Sequence, residues 1–486
     1  METTSLRRTR PVDRLVIHGE ALDFRELCRR AVPEDTRFLV LDLDRTVHLG
    51  RNMGELLGWE VVAAHAYGLD RLAEVEPRRA ASRFFLDWTR PLALLRYLWL
   101  GARMWALPGL FYLLFGKIPA HLEVLRRWSF RRFGPEPVAA VQRVPQTALL
   151  HYLSALPAAD LAVLARRVWD RHAGDQVIQR EDLDWLRARC PGIRIVLASA
   201  SPQPTLEVAR EALGADDAIY STVELHEGWL SAPFQLEPSL VRGWGSAVPR
   251  RLSGPSQTRI NSARIKIENL WARYPELADP ATPSVGITDT GYGEDHCWLG
   301  HFTRVVDVNS SDPFPPFVDA GSPLREIHSA AVLTRRELER RAHGDARWLD
   351  PRRPARDAGD RTFTARELEE RLPGLADEVE RLARRRDERE TRLAATRAAV
   401  LGRVEALSAR IEALVGAFNV AAARERPRVL TRLRSALREN SALRRELARV
   451  ERPVAEVACA LSGLLARSRE ALVTTRSAGR GQGRAA

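Results

Sequence analysis

The sequence predicts an α/β protein, with a parallel sheet flanked by helices, an inserted all-helical segment and a long helical region near the C-terminus. Short apolar runs that end in polar residues indicate strands, and the residues between them have helical periodicity. Strands that alternate with helices are typical of a parallel sheet wrapped by helices. The expected strands are FLVLDLD at 38–44, IRIVLASAS at 193–201, PSVGITDTG at 283–291 and RVVDVN at 304–309.

Composition indicates a folded protein of more than one domain. The chain has 486 residues, of which 45% are hydrophobic and 28% charged, and domains usually span roughly 100–200 residues. Its four cysteines form no C-x-x-C pair, which argues against a zinc site or a disulfide framework. The N-terminus lacks the apolar stretch of a signal peptide, and the uncharged runs are shorter than a membrane span. We therefore expect a cytoplasmic location.

The segment 61–189 has no convincing strand and is rich in Leu, Ala, Arg and Trp. We expect it to be an all-helical insertion. Residues 71–180 carry 17 Lys and Arg against 8 Asp and Glu, together with five of the twelve tryptophans. This balance suits a phosphorylated substrate or a peripheral contact with an anionic membrane surface. The net charge of +12 is the only support for nucleic-acid binding, because the sequence contains no recognisable nucleic-acid-binding motif.

From about residue 321 the chain becomes rich in Leu, Arg and Glu, and apolar residues recur in steps of three and four. This spacing predicts a coiled coil, formed either as a helical hairpin or as a homodimer. The tail at 476–486 is expected to be disordered. The predicted organisation is an N-terminal extension at 1–36, a catalytic core at 37–60 and 190–320, an inserted helical cap at 61–189, a helical coiled-coil region at 321–475 and the tail.

Two carboxylates end the first predicted strand. Asp42 and Asp44 stand two residues apart, and Thr46 follows two residues later. A lone acid here would most often cap the next helix, whereas a pair can supply one group for attack and another for proton transfer. Phosphoryl transfer through an aspartyl phosphate needs that pair, because the departing oxygen requires a proton.

Further polar residues follow the later strands in an order that suits phosphoryl transfer. Ser199 and the backbone after it can donate hydrogen bonds, Lys266 can supply a fixed positive charge, and Asp289 can supply a hard oxygen ligand for Mg²⁺. Lys266 is one of two lysines in a chain with 73 arginines. In the order acid pair, hydroxyl, lysine and acid, the chain resembles the phosphoserine-phosphatase-like branch of the haloacid dehalogenase superfamily.

The resemblance covers roughly residues 37–60 and 190–312, and it implies a Rossmann-like core with a helical cap in the first insertion position. It implies Asp42 as the nucleophile and Asp44 as the general acid and base. It further implies phosphate binding by Thr46, Ser199, Ala200 and Lys266, and Mg²⁺ binding by Asp42, Asp44, Asp289, Glu294 and Asp295.

Two departures from the family pattern stand out. Arg45 lies between Asp44 and Thr46, where a glycine or small residue is common. Gly293 occupies the place of an acid four residues after Asp289, so Glu294 or Asp295 must serve the metal instead. The 156 residues between Asp42 and Ser199 hold the cap, which in this family selects the substrate.

We therefore expect a Mg²⁺-dependent phosphatase that acts on a small phosphorylated substrate through an aspartyl phosphate. Two alternatives remain open at this point. The chain could pass the phosphoryl group to an acceptor other than water, as a phosphotransferase does. It could also be a non-catalytic scaffold that acts through its C-terminal coiled coil.

Overall fold

The structure is a computed structural model that describes residues 9–76, 82, 84–102, 104, 157–221, 225–226, 229–230, 261, 264–290, 295–310, 313–345, 347, 349, 359–372 and 374–474. Glu294 and the predicted tail at 476–486 lie outside the described residues. Among the helices described, none is both long and apolar enough to cross a membrane.

An eight-stranded sheet forms the centre of the fold. Its strand order is β12-β2-β11-β9-β8-β3-β4-β5, and every neighbouring pair is parallel except β12 and β2. Two further short pairs, β1 with β10 and β6 with β7, are antiparallel. The strands are β1 Thr9–Pro11, β2 Arg14–Leu22, β3 Phe38–Leu41, β4 Arg194–Pro202, β5 Asp217–Ser221, β6 Leu225–His226, β7 Trp229–Leu230, β8 Ser284–Thr288, β9 Arg304–Val308, β10 Phe317–Asp319, β11 Glu326–Val332 and β12 Arg361–Thr364.

Helices cover both faces of this sheet, as the α/β prediction requires. Side chains alternate along β3, so that Leu39 and Leu41 belong to one apolar cluster and Phe38 and Val40 to the other. All four side chains are buried. The helices in chain order are α1 Phe24–Ala31, α2 Met53–Tyr67, α3 Leu69–Val75, α4 Pro91–Gly101, α5 Ala158–Arg171, α6 Arg180–Arg189, α7 Gln203–Leu213, α8 Arg264–Arg273, α9 Arg335–Ala342, α10 Ala365–Arg371, α11 Leu375–Val420 and α12 Arg426–Thr474.

The described part of the cap is helical, in agreement with the prediction. Helix α2 begins at Met53, inside the predicted core, and runs through the expected boundary at residue 60. It packs on α4 and α5, and the three helices share the apolar cluster that also covers one face of the sheet. The cap and core therefore share one hydrophobic interior.

The C-terminal region contains the predicted pair of long helices. Helices α11 and α12 run antiparallel and bury apolar residues between them, including Leu407, Ile411 and Leu433. The prediction of a helical hairpin is confirmed, and because this seam is filled within one chain, it does not require a second copy. The homodimer stays a prediction.

The sheet is wider than the sequence predicted. Strand β2 lies in the expected N-terminal extension, and β11 and β12 lie in the region expected to be helical from residue 321. The prediction of helix is wrong for β11 and β12, and β2 adds a strand to a segment for which no secondary structure was predicted. Polar residues obscure their apolar pattern, because His18 in β2 and His328 in β11 interrupt the runs. Both are buried, and their ring nitrogens approach to 3.3 Å, so the two strands satisfy each other's polar groups.

Candidate active site

The candidate site lies at the carboxyl ends of the adjacent strands β8, β3 and β4. Ligands of open parallel sheets bind at this edge. Asp42 directly follows β3, and its backbone N–H donates to the Ile287 carbonyl of β8 at 3.0 Å. Asp289 directly follows β8, and Ser199 lies within β4. The topology therefore brings the predicted acids and hydroxyl to one edge of the sheet.

The backbone after Asp42 turns sharply, and Arg45 adopts a φ of 61° there. This left-handed conformation costs a residue with a side chain about 1 kcal/mol, which explains why a glycine or small residue suits the position. The turn is held by a hydrogen bond of 2.7 Å from the Arg45 N–H to the His48 carbonyl. The Arg45 side chain is largely exposed, and its Nη1 lies 3.9 Å from Asp289 Oδ2.

Asp44 points its carboxylate at the start of helix α2 and at the end of β4. Its Oδ1 accepts from the Met53 N–H at 2.7 Å, and its Oδ2 accepts from Ser201 Oγ at 2.6 Å and from Asn52 Nδ2 at 2.9 Å. Burial raises the pKa of Asp44, although the bonds from Ser201 and Met53 oppose the rise. A carboxyl that is held in place and protonates readily suits a general acid.

Lys266, on helix α8, lies between two buried carboxylates. Its Nζ donates to Asp42 Oδ1 at 3.3 Å and to Asp295 Oδ1 at 2.8 Å, and the side chain is 1% exposed. Burial raises the pKa of Asp42 well above its usual range; Lys266 opposes this, and the nearby Asp295 and Asp289 add to it. One cation therefore faces more negative charge than it neutralises.

Asp289 shares this excess of negative charge. It is 5% exposed, and burial raises its pKa to about 7, with Arg45 opposing the shift and Asp295 and Asp44 adding to it. Two buried carboxylates that repel each other form a favourable site for a hard divalent cation, since a bound cation relieves both desolvation and repulsion. No complete cluster of three or more acidic, His or Cys ligands occurs among the described residues. Asp42 and Asp289 could hold Mg²⁺ together with the Asp44 carbonyl and water, and the residues present fit that ion.

Asp295 is placed differently from the prediction. Its Oδ1 accepts from Lys266, and its Oδ2 accepts from Thr288 Oγ1 at 2.6 Å and from Thr290 Oγ1 at 3.2 Å. Both oxygens are therefore taken by protein donors, and Asp295 orients Lys266 where a metal ligand was expected. Glu294 lies outside the described residues.

The predicted phosphate-binding residues lie on the turn and on β4. Thr46 is 1% exposed, and no hydrogen-bond partner for its hydroxyl occurs among the described residues. A buried hydroxyl without a partner is costly, and an oxygen of a bound phosphoryl group would relieve that cost. Ser199 is also buried, and its Oγ accepts from the Ser201 N–H at 3.3 Å.

The backbone around Ser199 and Ala200 is fixed by residues that the sequence reasoning missed. Asn261 is fully buried and donates from Nδ2 to the Ser199 carbonyl at 3.0 Å. Ser221 donates to the Ala200 carbonyl at 2.7 Å and accepts from the Asn261 N–H at 3.0 Å. These bonds hold the end of β4 in one position, which preorganised binding of an anion requires.

Ser201 and Asn52, which bond Asp44, were missed as well. A signal for each exists in the sequence. Ser201 lies two residues after Ser199, so the two side chains share one face of the strand. Asn52 precedes MGE, and an Asn three residues before a Glu is typical of a helix N-cap. The Asn52 side chain does accept from the Glu55 N–H at 3.0 Å.

A family model for haloacid dehalogenase-like hydrolases matches residues 110–254. This match covers less than a third of the 486-residue chain. The match agrees with the predicted resemblance to hydrolases of this superfamily. The matched residues include Ser199, whereas Asp42, Lys266 and Asp289 lie outside them, so their roles rest on the geometry above.

Solved structures provide a further comparison. Similar chains include a protein with unknown function from Bordetella pertussis Tohama I, with 14% identity over 57% of this chain and 92% of that one and a TM-score of 0.32. A probable phosphoserine phosphatase from Vibrio cholerae has 13% identity over 58% and 59% of the two chains and a TM-score of 0.28. At these values, nothing about the activity of this chain follows from them. The comparison with curated proteins gives no match.

Proposed function

We propose that the chain is a Mg²⁺-dependent phosphatase that hydrolyses a phosphomonoester through an aspartyl phosphate on Asp42. The observation that carries this proposal is the contact of buried Lys266 with the Asp42 carboxylate at 3.3 Å, with Asp44 held nearby as a second carboxyl. A structural ion pair would need one acid, whereas this site gathers several acids around one lysine. That excess suits a divalent cation, which could in turn neutralise the negative charge of a transferring phosphoryl group.

In the first half-reaction a carboxylate oxygen of Asp42 attacks phosphorus, and the bond from phosphorus to the substrate oxygen breaks. Asp44 gives its proton to that departing oxygen, so that the product leaves as an alcohol. Its position is fixed by Ser201 and by the Met53 N–H. Thr46 and Lys266 bind the phosphoryl oxygens, and Mg²⁺ supplies Lewis-acid neutralisation of their charge.

In the second half-reaction water attacks the phosphorus of the aspartyl phosphate. Asp44, now ionised, accepts a proton from that water, and the bond between Asp42 and phosphorus breaks to release inorganic phosphate. Asp44 thus regains the proton that it gave away. One carboxyl can serve as acid and then as base because it is protonated and deprotonated in turn within one cycle.

The test is the release of phosphate from a panel of phosphorylated metabolites in the presence of Mg²⁺. We expect turnover of a few related compounds, and we expect Asp42→Asn to lower it at least about 1,000-fold, since the nucleophile is lost. The matched control is Asp184→Asn, which removes an exposed acid on α6 and should leave turnover unchanged. Chelation of the metal should abolish activity.

The same assay separates the two other functions. Transfer of phosphate to an added alcohol, in preference to water, would indicate a phosphotransferase. Normal folding and Mg²⁺ binding with no turnover of any substrate would favour a scaffold, for which the hairpin of α11 and α12 is the obvious binding element. The homodimer through these helices is tested by the mass of the full chain in solution.

A further inference from the structure

The cap carries an unusual concentration of exposed apolar side chains. Ten large hydrophobic residues are exposed among those that the structure describes, and seven of them lie between residues 84 and 99. Soluble proteins seldom expose contiguous apolar surface of this kind without a binding role. The seven are Phe84, Leu86, Trp88, Leu92, Leu95, Leu98 and Trp99.

Helix α4 is apolar on both of its sides. Leu94, Tyr97 and Leu100 face inward and join the cluster that covers the sheet. Leu92 and Leu95 face outward and are 82% and 63% exposed. A helix that is hydrophobic all round is ordinarily surrounded by apolar material. Among the residues that the structure describes, Leu92 and Leu95 therefore lack the apolar surroundings that the composition of α4 suits.

The charges around α4 have one sign on the outside. Arg90 and Arg96 are exposed, while Asp87 is the sole acidic residue between positions 84 and 102. Asp87 is buried, and it accepts from Arg71 Nε at 2.9 Å and from Thr89 Oγ1 at 2.5 Å. The outer surface of this segment thus combines apolar side chains with two arginines, for which no ion pair occurs among the described residues.

We propose that this surface, formed by Trp88 and the outer side of α4, docks on a lipid bilayer that carries anionic headgroups. Leu92 and Leu95 enter the boundary between headgroups and acyl chains, and Arg90 and Arg96 bind lipid phosphates. Trp88, 77% exposed, lies at the level of the headgroups, which indole rings prefer. The combination of an apolar helix face, Trp and flanking Arg is that of a helix lying in the interface.

The position of α4 connects this surface to the candidate site. Helix α2 packs against α4, where Trp59 lies 5.9 Å from Tyr97 between ring centroids. The other end of α2 begins at Met53, whose N–H bonds Asp44. Docking through α4 therefore holds the candidate site close to the bilayer. The docking itself does not depend on the proposed phosphatase activity.

The experiment is co-sedimentation of the full chain with vesicles of phosphatidylcholine, with and without phosphatidylglycerol. We expect binding to the anionic vesicles alone. The variant Leu92→Gln/Leu95→Gln should lower the partition coefficient at least about tenfold, because two inserted side chains are lost. Arg90→Gln/Arg96→Gln should lower it several-fold and reduce its dependence on salt.

The matched control is Val163→Gln/Val420→Gln, which changes two exposed apolar side chains on α5 and at the end of α11 and should bind as the unmodified chain does. Asp42→Asn should also bind normally, which separates docking from catalysis. Absence of binding to anionic vesicles overturns the proposal, as does an equal loss in the control.

Two more measurements identify another occupant of this surface. A change of molar mass in solution for Leu92→Gln/Leu95→Gln would show that a second copy covers α4. A large fall in its thermal midpoint, with no vesicle binding by the unmodified chain, would show that another part of the same chain covers it. Either result would overturn membrane docking.

Discussion

Two clusters of charge, one partly exposed and one buried, lie in the same sheet and behave oppositely. Between β2 and β11, Glu326 bonds His328 at 3.2 Å, Arg304 at 3.1 Å and Arg14 at 2.9 Å. Burial alone would raise the pKa of Glu326, but the bond with His328 and the two arginines outweigh it and lower the pKa to about 2. At the candidate site, burial raises the pKa of Asp289 to about 7.

The difference in pKa shows which cluster has enough oppositely charged partners within the chain. Glu326 has all the positive partners that it needs within the chain, so its cluster serves the fold. Among the described residues, the acids around Lys266 exceed the cations that face them, so a bound divalent cation would balance their charge. A buried excess of like charge is a poor way to stabilise a fold and a good way to bind a ligand.

After the loss of the nucleophile Asp42, the largest expected effect is the loss of Lys266. Lys266→Met should lower turnover about 100- to 1,000-fold, since a preorganised positive charge at a phosphoryl group is worth about 3–4 kcal/mol in the transition state. Steady-state kinetics on the substrate found by the panel measures the change. Arg273→Met, which removes an exposed cation paired with Asp217, is the control. Unaltered turnover in Lys266→Met would show that the cluster is structural.

Addition of Mg²⁺ should stabilise the folded chain. At a hundredfold excess over its dissociation constant, the ion should raise the free energy of unfolding by about 2.7 kcal/mol. The pKa of Asp289 is raised on folding to about 7. Without metal, the folded chain therefore loses stability as pH rises toward 7, because it holds a proton that the unfolded chain has already released. Mg²⁺ binds the ionised carboxylate, so its affinity should increase from pH 6 to pH 8. Denaturant titrations with and without Mg²⁺ should show this gain in stability in the control Asp279→Asn, which changes an exposed acid. The gain should be absent in Asp289→Asn. An equal gain in both would place the ion elsewhere.

Mutation of the cluster around Glu326 should change the stability of the chain but not its turnover. Glu326→Gln leaves two arginines without their acid and should cost about 2 kcal/mol, less than for a fully buried pair because Arg14 is 46% exposed. Turnover of the folded fraction should stay unchanged. Denaturant unfolding measures the change in stability. The control is Glu339→Gln, which changes an exposed acid on α9. A fall in turnover without loss of stability would contradict the division into two clusters.

Much of the candidate site could be predicted because its signals are local. Asp42, Asp44 and Asp289 follow short apolar strands, and their spacing is visible in the sequence. The role of Asp295 was not predictable, since its two oxygens are bonded by Lys266 on α8 and by threonines at the end of β8. Which donors meet there depends on the packing of a helix on the sheet, and no local pattern encodes that packing.

The fold was predictable in its centre and missed at its flank for a related reason. Strands β3, β4 and β8 are apolar on both faces, as buried parallel strands are. Strand β2 contains His18, and β11 contains His328, which look like surface positions until the two strands are paired. Their polar atoms are satisfied by each other and by Asp360 and Glu326, and sequence patterns do not show such long-range pairing.

The smallest expected effect concerns this histidine pair. Burial lowers the pKa of His18, with His328 adding to the shift and Asp360 opposing it. Since the unfolded chain then binds more protons than the folded one, stability is kept above pH 6.5 and falls as pH drops below that value, by less than ~1.4 kcal/mol per pH unit for one group. His18→Gln should flatten this part of the curve from pH 7 to pH 5, whereas His343→Gln, at an exposed position after α9, should not. An unchanged slope in His18→Gln would mean that the pair is already protonated in the folded chain, and that the cluster around Glu326 carries one more positive charge than we assign to it.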